Sequence, residues 1–105
     1  MIEAMTFEVS PDRQQEALTL ISAAADPVRW RLLAELAAGD TRCVCDLQPV
    51  AGVASNVLSY HLKVLREAGL VSAAKRGRWV DYTLAPDAHD RLRCALPTAD
   101  GLTGS

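Results

Sequence analysis

Cys43, Val44 and Cys45 place two thiols one residue apart, with Arg42 just before them and Asp46 just after. Thiolates are soft ligands, so such a pair suits soft ions such as As(III), Sb(III), Cd(II), Pb(II) or Cu(I), and it can also respond to oxidants. A third thiol, Cys94, stands far along the chain. Three cysteines with one close pair point to metal binding, redox sensing or simple burial, not to a disulfide framework. A second group of chemically useful residues lies just downstream. Residues 55–80 carry five bases (Lys63, Arg66, Lys75, Arg76 and Arg78) against one acid, Glu67, although the whole chain has a net charge of −2. A local positive excess is where a phosphate backbone would be met; the plainer reading is a solvated charged face. Residues 1–28 show the opposite balance, five acids against Arg13.

The elements that must position these groups follow from periodicity and punctuation. A chain of 105 residues, half of them hydrophobic and only five aromatic, supports one domain with a mostly helical core. No apolar run approaches a membrane span, and the N-terminus lacks the pattern of a signal peptide, so a cytoplasmic protein is expected. Residues 1–9 read as a flexible leader, 10–96 as the folded domain and 97–105 as a disordered tail. Ser10-Pro11 opens a helix running to about Ala25, with Leu18, Ile21, Ala24 and Ala25 as its apolar stripe. Asp26-Pro27 opens a second, ending at Gly39. Thr41 is expected to cap a short third helix from Arg42 to about Gln48, and Pro49 to Gly52 to form a turn. A fourth helix covers about Ala54 to Ala68, closed by Gly69 in a left-handed conformation. Leu70–Ala74 and Arg78–Leu84 read as strands joined at Arg76-Gly77, and a last helix covers about Asp87 to Leu96. The expected order is α-α-α-α-β-β-α, a winged helix-turn-helix that is mostly α with a small β-hairpin wing.

In that arrangement the second helix of the pair offers its N-terminal residues to base edges in the major groove. Val57, Leu58, Leu62, Leu65 and Ala68 are expected to face the core, leaving Ser55, Asn56, Ser59, Tyr60 and Lys63 outward. Hydroxyl and amide groups suit bases and phosphates; Lys63 with Lys75, Arg76 and Arg78 of the wing suits phosphates. His61 joins this set as a residue that orients or packs within the same helix.

The run Ser59-Tyr60-His61-Leu62-Lys63-Val64-Leu65-Arg66-Glu67-Ala68-Gly69-Leu70-Val71 resembles the recognition helix of the ArsR/SmtB family of metal-responsive repressors. Ala25-Asp26-Pro27-Val28-Arg29 and the wing ending Val80-Asp81-Tyr82 extend the resemblance to roughly residues 16–96. It implies a homodimer formed through the first and last helices and bound to palindromic double-stranded operator DNA, with no membrane partner. Cys43-Val44-Cys45-Asp46-Leu47 also resembles the thiol box of arsenic- and cadmium-responsive members, which implies As(III) or Sb(III) as inducer, with Cd(II), Pb(II) or Zn(II) as alternatives. In similar arsenical sensors a third cysteine follows the leucine; this chain has Gln48 there. Cys94 is then the remaining third ligand, from the same subunit or across the dimer, unless it simply packs near Leu92 and Leu96. Zinc-sensing members use acidic and histidine side chains on the last helix, and Asp87 with His89 matches only the first half of that pattern.

Two cysteines inside one helical turn, near its N-terminus and Arg42, are expected to favour thiolate. At i and i+2 they would point about 200° apart, so holding one ion would require the helix start to unwind. The competing readings are a repressor sensing thiol oxidation, a small thiol enzyme, and a protein-binding winged helix. The enzyme lacks support because a redox pair is usually Cys-x-x-Cys in a βαβ unit, which this sequence does not form.

Overall fold

Asp26 shows how the sequence writes its own helix starts. The computed structural model describes residues 11–97; the leader, Ser10 and residues 98–105 lie outside the described residues. The Asp26 carboxylate accepts from the amides of Val28 at 2.9 Å and Arg29 at 3.1 Å, while Pro27 occupies a position whose missing N–H is not needed. Helix α1 therefore ends at the preceding residues (Pro11–Ala24) and α2 begins (Pro27–Ala37). The remaining order is β1 (Arg42–Cys43), α3 (Val44–Ala51), α4 (Ser55–Glu67), β2 (Val71–Arg76), β3 (Trp79–Leu84) and α5 (Ala88–Ala95). Five helices and an antiparallel sheet of order β1-β3-β2 make a winged helix-turn-helix. None of the described helices is long and apolar enough to cross a membrane.

The core is a block of leucines from every helix of the reading unit. Leu32 and Leu36 of α2, Leu47 of α3 and Leu58, Leu62 and Leu65 of α4 are fully buried, with Leu70 beneath the wing. Burying one such side chain contributes about 1.5–3 kcal/mol, so this cluster fixes how α3 and α4 sit on α2. Arginines of α2 complete the arrangement at helix ends. Arg31 donates to the Ala51 carbonyl at 3.0 Å, satisfying the end of α3, and Arg29 donates to the Ala23 carbonyl at 2.7 Å, holding the end of α1. At the end of α4, Gly69 takes φ 78°, and Leu70 N–H bonds back to the Leu65 carbonyl at 3.0 Å. This Schellman closure turns the chain directly into β2.

The structure corrects several boundaries. Arg42 and Cys43 form a third strand rather than the start of α3, pairing with Tyr82 and Asp81 of β3. Helix α3 is capped by Cys43, not Thr41, and it continues through Pro49 to Ala51 before Gly52 turns left-handed. The hairpin turn is Gly77-Arg78, since Arg76 still pairs with Trp79. On α4, Val57 is exposed at 37%, one step off the Leu58–Leu62–Leu65 stripe. On α1 the buried residues are Leu20, Ala23 and Ala24, and Leu18 is exposed.

Candidate nucleic-acid interface and thiol site

Helix α4 projects a polar face because its apolar residues repeat at helical spacing along the other side. Ser55, Asn56, Ser59, Tyr60 and Lys63 are all exposed, at and after the N-terminus of the helix that follows the α3–α4 turn. Gln48, half-buried on α3, donates its side-chain amide to the Val53 carbonyl and braces that turn. His61 is different. It is buried on the inner face, where its Nδ1 lies 2.8 Å from Arg29 Nη1 and 3.8 Å from Asp26 Oδ2. An always-charged guanidinium can only donate, so Nδ1 accepts and the ring proton sits on Nε2. His61 thus lies on the packed face of α4 and not among its exposed residues, and the exposed ring of its neighbour Tyr60 meets it edge-on at 5.2 Å.

The wing carries its bases on the exposed end of the hairpin. Lys75 and Arg78 are exposed, and among the described residues neither has an ion-pair partner. Arg76 is also exposed but not free, since its Nε and Nη2 grip the two oxygens of Asp81 at 2.7 and 3.1 Å. The Asp81 carboxyl lies below its ordinary value because Arg76 donates to it. Arg76 is therefore engaged as an anchor of the hairpin.

The thiols meet at the junction of β1 and α3. Cys43 has the extended backbone of an N-cap (φ −69°, ψ 153°), and its sulfur accepts from the Cys45 amide at 3.3 Å. Asp46 returns the bond, accepting from the Cys43 amide at 3.2 Å, which completes a capping box. With Cys43 outside the helix, the 200° separation does not apply, and the two sulfurs approach to 2.7 Å without any unwinding. Cys43 is buried and Cys45 exposed, so one sulfur anchors the pair and the other is open to a ligand. The Cys45 thiol is pushed above its ordinary value, first by its hydrogen bond with Cys43, then by burial and by the negative charge that Cys43 and Asp46 would place beside a thiolate. The expected helix-start activation is thus outweighed by the neighbouring sulfur. Pro49 adds a local effect, having no N–H to offer the Cys45 carbonyl four residues back.

Cys94 does not join them. It is exposed on α5, a helix that packs against α1, and no three cysteine, histidine or acidic residues gather as a metal site among the described residues. Among the described residues Cys43, Cys45 and Cys94 thus form no preassembled three-thiol cluster within one subunit. Asp87 precedes α5 without a side-chain capping bond, and His89 is exposed. Sequence reasoning missed β1, the Asp81–Arg76 pair and the Asp26–Arg29–His61 cluster. Only the last had a visible signal, an acid and an arginine flanking Pro27 at a helix start.

These features have close counterparts. Residues 26–73 match the model of the bacterial regulatory protein arsR family. A transcriptional repressor SmtB homolog of Synechocystis is 40% identical over 77 residues, covering 73% of this chain and 58% of the relative. The arsenical resistance operon repressor of Bacillus subtilis is 40% identical over 62 residues, 59% of each. The chain thus spans under two thirds of the length of these two relatives. A solved structure described as a possible transcriptional regulator for arsenical resistance superposes with a TM-score of 0.67 at 38% identity, covering 72% of this chain and 78% of that one. The chain belongs to the arsR family of bacterial regulatory proteins, which are transcriptional regulators and not enzymes.

Proposed function

We propose that this protein is a cytoplasmic repressor whose homodimer binds a palindromic operator through α4 and the wing, and that it leaves the operator when As(III) or Sb(III) engages Cys43 and Cys45. The observation that carries the reading is the 2.7 Å approach of the two sulfurs at the start of α3, the helix that leads into α4. The names of the arsenical resistance and SmtB-like relatives agree with it. The raised Cys45 thiol favours a metalloid over a divalent cation. Protonated thiols condense directly with a neutral metalloid hydroxide, each proton leaving with a hydroxide as water, whereas a divalent cation must expel those protons to solvent. The third donor comes from Cys94 of a second copy or from solvent. Leu18 of α1 and Leu96 after α5, both large and exposed, are the apolar groups that a dimer through these helices would cover.

Titration of operator-bound protein with As(III), Sb(III), Cd(II), Pb(II) and Zn(II) tests this directly. Release by As(III) or Sb(III), abolished by Cys43→Ser and Cys45→Ser, is the expected outcome. Loss of release in Cys94→Ser assigns the third ligand, and release that survives all three substitutions refutes the thiol reading. The same sulfur–sulfur approach favours a second reading, in which a peroxide takes two electrons and two protons from the pair; release by peroxide without any ion would identify it.

A further inference from the structure

The sheet gives the thiol pair a second neighbour besides α4. Cys43 lies directly opposite Asp81 in the β1–β3 pairing, and directly opposed residues of an antiparallel pair point to the same side of the sheet. Across β3, Asp81 opposes Ala74, and Arg76 lies two residues further along β2 on that same face. Cys43, Asp81 and Arg76 therefore form a row from the sensor to the wing, closed by the two-pronged grip of Arg76 on the carboxylate. Arg76 adjoins the Gly77-Arg78 turn, so the residue held by Asp81 sits between the two unpaired bases of the wing, Lys75 and Arg78.

We propose that Asp81 and Arg76 couple the thiol pair to the wing, so that engaging Cys43 loosens the hairpin tip and weakens its hold on DNA. This rests on the repressor reading above but adds a route distinct from the contact between α3 and α4. Cys43 serves two elements at once, as the N-cap of α3 and as half of a two-residue strand. A ligand that draws the Cys43 sulfur out of its N-cap position moves the β1 backbone that opposes Asp81 with it. An electron-poor centre on the Asp81 side of the sheet also competes with Arg76 for the carboxylate. The protonated guanidinium is favoured first by the hydrogen bond and then by the charge of Asp81.

Asp81→Asn tests the link with little change in shape. Two quantities are measured: As(III) or Cd(II) binding to DNA-free protein by thiolate charge-transfer absorbance, and operator affinity with and without that ion. Couplings between sites commonly amount to about 5–150-fold, and we expect wild type in that range with the factor falling below about 3-fold in Asp81→Asn, while ion affinity is retained. Arg76→Gln, at an exposed side chain, should lose the same factor and carries the test if Asp81→Asn does not fold. The double variant should lose no more than either single one. A wild-type factor in both single variants overturns the proposal. Loss of ion binding in Asp81→Asn also overturns it, making Asp81 a ligand. If no ion or oxidant releases wild-type protein, the repressor reading itself fails and the coupling falls with it.

Discussion

Replacing His61 with alanine should separate what holds α4 in place from what it presents to DNA. The ring is buried, accepts from Arg29 at 2.8 Å and supports the exposed Tyr60 ring at 5.2 Å. A hydrogen bond to a charged donor is worth about 1.5–3 kcal/mol, and loss of the ring leaves further packing unmade, so destabilisation of about 2–4 kcal/mol is expected. For a domain of this size that corresponds to a fall in Tm on the order of 10–20 °C, compared at equal protein concentration because dimerisation shifts the midpoint. His61→Asn puts a carbonyl oxygen close to the Nδ1 position and should recover more than half of the loss. Operator affinity, corrected for the folded fraction, should fall a further 2–10-fold or about that in the alanine variant, since an edge-on aromatic contact contributes about 0.5–1.5 kcal/mol to the placing of Tyr60. Urea unfolding and fluorescence anisotropy on an operator fragment measure the two effects separately. If His61→Ala lies within about 0.5 kcal/mol of wild type, or His61→Asn is no better than alanine, the Arg29 bond does not hold the helix as argued.

Gln48→Cys places a third sulfur one helical turn beyond Cys45, at the cost of the amide that braces Val53. It should tighten As(III) binding while lowering stability by about 1 kcal/mol; unchanged competition for As(III) would count against a thiol-limited site. Because Cys45 holds its proton above the ordinary thiol value, chiefly through Cys43, Cd(II) affinity should rise steadily with pH as binding displaces protons. A flat profile between about pH 6 and about pH 8 would show that the protons are not displaced. Asp26→Ala removes the cap of α2 and should cost about 0.5–2 kcal/mol, with Asp26→Asn milder. The Asp26 carboxyl is lowered first by its bond from the Arg29 amide, so its contribution is complete above the ordinary carboxylate range and is lost as pH falls through the lower folded value. Acid unfolding of the alanine variant should lack that component.

The reading unit was legible because its signals are local and redundant. Leu58, Leu62 and Leu65 repeat at helical spacing, Gly69 marks the stop, and Lys75 to Arg78 announce a turn. The thiol site was only half legible. Two residues carry no period, so β1 could be recognised only once β3 lay beside it, and with β1 came the extended backbone that brings Cys43 to Cys45. Pro49 looked like a helix end, yet α3 runs through it because Arg31 satisfies the carbonyls beyond and Leu47 and Ala51 are buried. His61 was identified as a packing residue of α4, but Arg29 as its partner lies 32 positions away and only tertiary structure joins them.

The two residues of β1 meet their partners about forty positions further along the chain. Closing a loop of that length costs entropy that rises with its logarithm, and two cross-strand pairs offset little of it. That contact is therefore expected to form after the helices and the hairpin and to be among the first to open in local unfolding, which hydrogen exchange at the β1 amides measures. A nascent chain carries Cys43 and Cys45 but not the strand and capping box that bring their sulfurs together. A ligand that prefers the finished arrangement stabilises the folded chain by about 2.7 kcal/mol when present at a hundredfold excess over its Kd. In the repressor proposed above, the inducer thereby sets how long the regulator survives proteolysis as well as how long it occupies DNA.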